Sequence, residues 1–378
     1  MLKVAGGTPR AADAGARGRS LFAIELLIAG ISGGALFAVT GQEVIWLLGG
    51  VFGGWLACRI ALARGRPAAP SPGARKSGQV LVGAAIGPSI ASQTLHISAG
   101  QLVLLGTAVL AVLLCSILVA RVYYAASPVD GVTAGMATLP GGIGIMPAVA
   151  AEYGKPVGLV AIVQSFRMTL VVALVLVAHE IWSTSDSSTT GERAGNALLP
   201  AGLPGWGYVA GLLLGAVCAA WLAGKLRIPV PTLLGPLLFG CGLALGLRAL
   251  GVDADLLTAP FLQEIIGQGL LGLTVGEYLA QRYWGSAAAL SGGIVGVLAS
   301  CALAIGIALG LAAIGPWPFL TTLLMVAPGG APEMAMIAAA TGGELALVLA
   351  AQTGRQVLVN LLIPLWINVF NRFDQGRN

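Results

Sequence analysis

Charge is what this chain of 378 residues most lacks: Asp, Glu, Lys and Arg make up 9% of it, where a soluble domain carries roughly a quarter. Hydrophobic residues make up 57% and the mean hydropathy is +0.90, so a water-soluble globule is excluded and a lipid bilayer is the expected surrounding. Histidine is nearly absent. The two present, His96 and His179, lie far apart, and no His, Cys or carboxylate spacing suits copper, iron or zinc; no metal and no cofactor is expected. The five cysteines (Cys58, Cys115, Cys218, Cys241, Cys301) stand singly inside apolar runs, without a CxxC pair, and read as small buried hydrophobes. There is no Walker phosphate loop, and no serine is singled out by a Ser-His-Asp pattern. No catalytic residue is therefore expected, and transport driven by ATP would need another subunit. The net charge of +5 sits in loops and termini rather than in a basic soluble domain, which argues against a nucleic-acid partner. The first 20 residues are polar and lack the short apolar core of a cleavable signal.

What the chain does have is a duplication. Residues 138–175 recur at 326–363, and 14 of the 38 aligned positions are identical at an offset of 188 residues. Pro140, Gly141, Gly142, Met146, Gln164 and Arg167 return as Pro328, Gly329, Gly330, Met334, Gln352 and Arg355. The block GQVLVGAAIG at 78–87 returns as GQGLLGLTVG at 267–276, offset 189, and LLGGVFGG at 47–54 is echoed weakly at 233–242. A near-constant offset over three blocks means two whole halves, the usual trace of a transporter built from related bundles. The expected organisation is a cytoplasmic arm 1–20, a first membrane repeat 21–181, a connecting loop 182–205, a second repeat 206–370 and a tail 371–378. Glycine, at 56 residues, suits close helix packing in lipid. Runs such as Gly83…Gly87 and Gly272…Gly276 read as packing faces.

Apolar stretches at about 21–39, 43–62, 79–97, 99–124 and 157–181, then 207–224, 230–250, 265–281, 287–314 and 345–370, each approach the ~20 residues a crossing needs. Between the last two of each half, at 131–153 and 320–342, lies a segment with Pro-Gly-Gly and a further proline, Pro147 or Pro332. Proline removes a donor and glycine weakens a helix, so each segment is expected to be re-entrant or broken, buried in protein or lining a wet cavity. The fold expected is all-α and integral to the membrane. Five crossings per half make the halves inverted, six make them parallel. Nine of the 20 Lys and Arg precede residue 77, in the arm and around 59–76, which places the N-terminus in the cytoplasm. Five crossings then keep Lys225, Arg227, Arg282, Arg372 and Arg377 inside and leave Arg193 and Arg248 outside, whereas six would move Lys225, Arg227 and Arg282 outside. The charge rule favours the inverted 5+5 arrangement.

Arg167 and Arg355 lie about 11 residues, or roughly 16 Å, into their helices, near the bilayer midplane. An arginine at that depth needs a partner or a water-filled cavity. Gln164 and Gln352, three residues earlier, share its helix face. Each Gln-Arg pair either faces a central solute cavity or ties down carbonyls freed by the neighbouring break. Pro140 and Pro328 can start a helix, and the open N–H groups around Gly141, Gly142, Gly329 and Gly330 can hold an anion. Glu333, whose counterpart is Ile145, either carries a coupling proton or cation, pairs with Arg355, or is an exposed acid at a helix start. Glu152, Lys155 and Glu344 read as interfacial, Glu25 as an acid that snorkels from the first span, and Glu277 with Arg282 as a pair near a membrane surface.

The two Pro-Gly-Gly blocks followed by Gln-x-x-Arg, with the GQ-x-L-x-G block upstream, resemble the duplicated AbrB-type bacterial membrane family over nearly the whole chain after residue 20. The most specific stretches are 327–359 and 138–168. The resemblance implies a bacterial inner-membrane protein with two homologous halves. Members carry labels of ammonia monooxygenase and of AidB-type regulator of gene expression; the small DNA-binding regulator of the same name is a different protein. Two separated histidines clash with the monooxygenase label. From the family motif come Pro328, Gly329, Gly330, Glu333, Met334, Gln352 and Arg355, and from the first copy Pro140, Gly141, Gly142, Gln164 and Arg167. The expected function is secondary transport of a small solute, an organic anion on the strength of the arginines, by alternating access coupled to protons or sodium. The alternative is a solute-sensing membrane regulator that acts on expression indirectly. Assembly as a homo-oligomer is left open.

Overall fold

Long apolar runs in lipid have to pair their backbone groups internally, which leaves the helix as the local solution. In the computed structural model every regular element among the described residues is helical, those residues being 11–41, 45–65, 70–91, 98–142, 145–183, 198–200, 202–228, 230–253, 257–281 and 286–375. His96, Arg193, Arg282, Arg377, the first ten residues and most of the connecting loop lie outside them. The first half contains α1 (Ala11–Thr40), α2 (Ile45–Ala63), α3 (Pro72–Ala91), α4 (Ala99–Ala126), α5 (Gly131–Thr138), α6 (Met146–Glu152) and α7 (Val157–Ser183). The second contains α8 (Gly202–Lys225), α9 (Pro231–Ala249), α10 (Phe261–Ala280), α11 (Ala287–Ile314), α12 (Phe319–Val326), α13 (Ala331–Ala340), α14 (Leu345–Leu361) and α15 (Ile363–Gln375).

Seven of these helices (α1 from Leu21, α2, α4, α7, α8, α9 and α11) are long and apolar enough to cross a membrane, and α14 with α15 makes an eighth if counted as one bent span. The chain is thus a multi-pass helical protein suited to a bilayer. Helices α3 and α10 have 20 residues each but carry more polar side chains, and both are largely buried among their neighbours. Two elements depart from the expected spans. The third helix begins at Pro72, well before residue 79, so Arg75 is helical. The last span does not run straight from 345 to 370: it bends by 70° between Leu361 and Ile363. Pro364 lacks the donor that would have continued the ladder onto Asn360.

Close glycine contacts set which helices touch. A methyl on Gly272 or Gly276 would collide with the backbone carbonyls of Leu47 and Val51 on α2, and one on Gly83 or Gly87 with those of Leu233 and Leu237 on α9. Both glycine pairs therefore act as helix-packing faces. As numbers rise on α10 they rise on α2, and α3 runs alongside α9 in the same sense. Between α3 and α10 the sense is opposite: Gly78 faces Leu271, whereas the Gln263 side chain donates to the Leu81 carbonyl at 3.0 Å. Helices α4 and α11 also run antiparallel, with Tyr123 Oη donating to the Ala289 carbonyl at 2.8 Å and Val112 lying beside Ile307.

Both Pro-Gly-Gly segments are broken helices. In each, a short helix ends just before the proline (α5, α12) and another begins several residues after it (α6, α13). The prolines at the helix starts are Pro147 and Pro332, each at the second helical position. Pro140 and Pro328 instead lie in the breaks, a correction to their expected role as helix starts. The α5 entry is capped by Asp130, which accepts from the Thr133 N–H at 3.0 Å, and by Asp374 at the far end of α15, which accepts from the Gly131 N–H at 3.0 Å. The Phe370 ring presses on Gly135, so α15 clamps α5 across the halves.

Candidate functional site

A helix that stops inside a membrane protein strands its last carbonyls. Here the Gln-x-x-Arg motifs collect them. Gln164 Nε2 donates to the Met136 and Leu139 carbonyls at 2.8 and 2.9 Å. Arg167 donates through Nη1 to the Thr138 carbonyl at 2.7 Å and through Nη2 to Gln164 Oε1 at 2.6 Å. In the second half Gln352 Nε2 donates to the Leu324 and Ala327 carbonyls at 2.6 and 3.1 Å. Arg355 donates to the Val326, Ala327 and Gly329 carbonyls at 3.5, 2.8 and 3.0 Å and to Gln352 Oε1 at 2.5 Å. The residue separations repeat: 28 and 25 for each glutamine, 29 from each arginine to its first carbonyl. The duplicated motif is a duplicated cap.

Carbonyl capping is only part of the arrangement. Both arginines also line one cavity between the halves. From the first half Arg75 and Gln79 of α3, Pro140 and Gly142 of the break, and Gln164 and Met168 of α7 join Arg167; from the second Val230, Gly329, Gly330, Ala331, Pro332 and Gln356 join Arg355. Arg167 and Arg355 are 3% and 2% exposed, and the Nε atom of each has no hydrogen-bond partner. The charge of Arg167 acts on Arg355, yet the ion pair found among the described residues is a different one, Lys155 with Asp130 at 2.9 Å. The cavity has a volume of about 20 Å³. That is room for about one water, so the halves are closed on each other.

The remaining expected residues are spread more widely. Gly141 and Gly329 pack on the side chains of Met146 and Met334, which accounts for the repeated methionine. Pro328 lies on another face, beside α4 and α11. Gln352 is buried behind Arg355. Glu333 is 1% exposed, which rules out an exposed acid. It makes no ion pair with Arg355; its Oε2 has no hydrogen-bond partner, lies against Gly330, and feels the charge of Arg75. Glu152 and Glu344 are exposed at helix ends.

The structure adds residues that the sequence reading passed over. Arg75 stands beside Lys76 in the basic stretch around 59–76, and Gln79 belongs to the repeated block at 78–87. Gln79 is held by a hydrogen bond from the Thr232 hydroxyl. Val230, at the same wall, has φ of +47°, a left-handed conformation that strains a β-branched residue by an order of 1–3 kcal/mol. Glu25 does not snorkel. It is 2% exposed, receives a bond from Cys58 Sγ at 3.4 Å, and hydrogen-bonds to Glu277, which in turn accepts from the Ser71 N–H at 2.7 Å. Cys218 is exposed rather than buried.

Comparison with known proteins matches this chain to the family model described as "Transition state regulatory protein AbrB" over residues 46–371. The chain is also similar to the protein printed as "Uncharacterized protein YhjN" of Bacillus subtilis (strain 168), with 26% identity over 352 residues that cover 88% of this chain and 89% of that one. No solved structure matches.

Proposed function

The chain belongs to the AbrB family, and on that footing we propose that it is a secondary transporter of a small organic anion, working by alternating access at the cavity between its halves. One observation carries the reading: a buried guanidinium from each half lines the same cavity, with an unpartnered Nε–H and, among the described residues, no carboxylate paired to it. Two like charges out of water repel, and an anion between them relieves the repulsion. Arg75 adds a third positive group at the wall, and the start of α13 adds backbone donors. The closed cavity is too narrow for a metabolite, so entry requires the halves to part.

Ten crossings in inverted halves fit this role. They are supported by the antiparallel runs of α3 with its repeat mate α10 and of α4 with its mate α11, and by the matching parallel pairs α2–α10 and α9–α3. Glu333, buried and lacking a partner for Oε2 beside the cavity wall, is the proposed coupling acid for a proton or sodium ion. The proposed setting is the bacterial inner membrane, with the N-terminus cytoplasmic. The protein acts as a carrier, not as an enzyme. A solute-sensing regulator using the same cavity is the second reading, favoured by how little room the closed cavity leaves.

Counterflow of organic anions in proteoliposomes tests the proposal. Arg75→Gln is the variant of choice because Arg75 holds none of the break carbonyls. Flux that falls with Arg75→Gln while the protein still elutes as a folded species supports transport. Saturable anion binding without flux supports the sensor. Undiminished flux in an Arg167→Ala, Arg355→Ala double variant refutes the shared anion site.

A further inference from the structure

A second narrow cavity lies between α3, α10 and α13. It continues the first one along the same two helices. On α3 the residues facing the cavities are Arg75 and Gln79 in the first, then Val82, Ile86 and Ser89 in the second. Those spacings of four, three, four and three trace one stripe of a helix. On α13, Pro332 faces the first cavity, and Met336 and Ala340 face the second, again at intervals of four. From Arg75 to Ser89 the stripe rises about 21 Å, most of the ~30 Å hydrocarbon thickness.

We propose that the two cavities are the two ends of a single solute path along the α3–α13 seam, with Glu333 at the constriction between them. This rests on the transport reading of the first cavity. Glu333 lies on α13 one residue after Pro332 and three before Met336, buried, with its carboxylate against Gly330 of the first cavity's wall. The second cavity has its own polar wall, Glu264 and Gln268 of α10. These stand 189 residues after Arg75 and Gln79, the offset of the repeated blocks, so each end is lined by the same two positions of its own half. The Gln268 side chain is 1% exposed, and its Oε1 has no hydrogen-bond partner. A buried amide oxygen of this kind calls for water or a ligand donor. Glu264 stands where the repeat places Arg75, so the two ends carry residues of opposite formal charge. In this conformation the second cavity leaves about 10 Å³ for water centres, so both ends are narrow together, as in an occluded state between the two open ones.

Cysteine accessibility tests the path. In full-length protein with the five native cysteines replaced, Gln356→Cys reports the first cavity, and Ser89→Cys and Ala340→Cys report the second. A membrane-impermeant maleimide is added to one face or the other of sealed vesicles, and flux is measured in parallel. We expect Gln356→Cys to label from one face, with loss of labelling from the other, and Ser89→Cys and Ala340→Cys to show the reverse pattern. That result supports the path even where no counterflow is found, in which case the transport reading alone fails. Labelling of all three from the same face overturns the path. So does reaction at Gln356→Cys alone, or at none of the three.

Discussion

At the scale of single residues, one arginine has more to hold than its twin. Arg355 carries the Ala327 and Gly329 carbonyls and a longer contact to Val326, while Arg167 carries Thr138. A buried carbonyl left without a donor costs about 1–3 kcal/mol. Arg355→Ala should therefore destabilise the protein by a larger amount than Arg167→Ala, which thermal unfolding in detergent would rank directly. Asp130 gives a pH signature. Burial pushes its carboxyl up, but hydrogen bonds from Lys155 and from the Thr133 side chain and backbone outweigh that and hold it below its ordinary value. A depressed folded value means its contribution is whole above the unfolded value of about 3.9 and is lost as pH falls through the folded one. Wild-type stability should drop in that acid range, and Asp130→Asn should flatten the drop in unfolding curves taken from pH 6 to pH 3. Of these residues, Gln164, Arg167, Gln352 and Arg355 were legible because polar groups deep in apolar runs stand out and recur. Arg75 was not, since a basic residue beside Lys76 near a linker looks like an interfacial charge until the helix is known to start at Pro72. The burial of Glu25 is not legible for a longer-range reason: Glu277 is brought to it by α10, from the other half of the chain.

At the scale of elements, glycine decides which helices approach. Gly272→Ala or Gly276→Ala forces α10 off the α2 backbone, and overpacking of this kind costs typically 1–3 kcal/mol. Gly269→Ala on the same helix meets nothing within 4 Å and should leave stability unchanged. The contrast, read as midpoint shifts in detergent, separates loss of close approach from any general effect of replacing glycine. The breaks at the Pro-Gly-Gly triplets were plain in the sequence, because three poor helix formers stand together in an apolar setting. Which proline would open the next helix was not plain. Pro140 and Pro147, or Pro328 and Pro332, satisfy the same local rule, and the choice fell to the second of each pair once Gln164 and Gln352 had capped the preceding helices. The bend before α15 was hidden for the opposite reason: Pro364 lies within so apolar a run that length alone suggested one crossing.

At the scale of the whole molecule, the repeat made two halves visible, but no spacing in it says how they face each other. That relation is carried by contacts between distant residues, such as Gln263 with Leu81. If the halves are inverted with five crossings each, the turn at Gly65 after α2 and the turn at Gly251 after α9 lie on opposite faces of the membrane. Protease or reporter tags at the two turns should then be reached from opposite sides; parallel halves of six crossings would place both on the same side.

The clamp of α15 on α5 has a consequence for how such a chain matures. Asp374 is made 243 residues after Gly131, yet it and Phe370 complete the packing around the entry of a helix that starts there. During synthesis the first half waits in the bilayer with that entry held by Asp130 alone, and its final locking is postponed until α15 has been made. An early half expressed by itself would keep that looser entry until the late half arrived to close it.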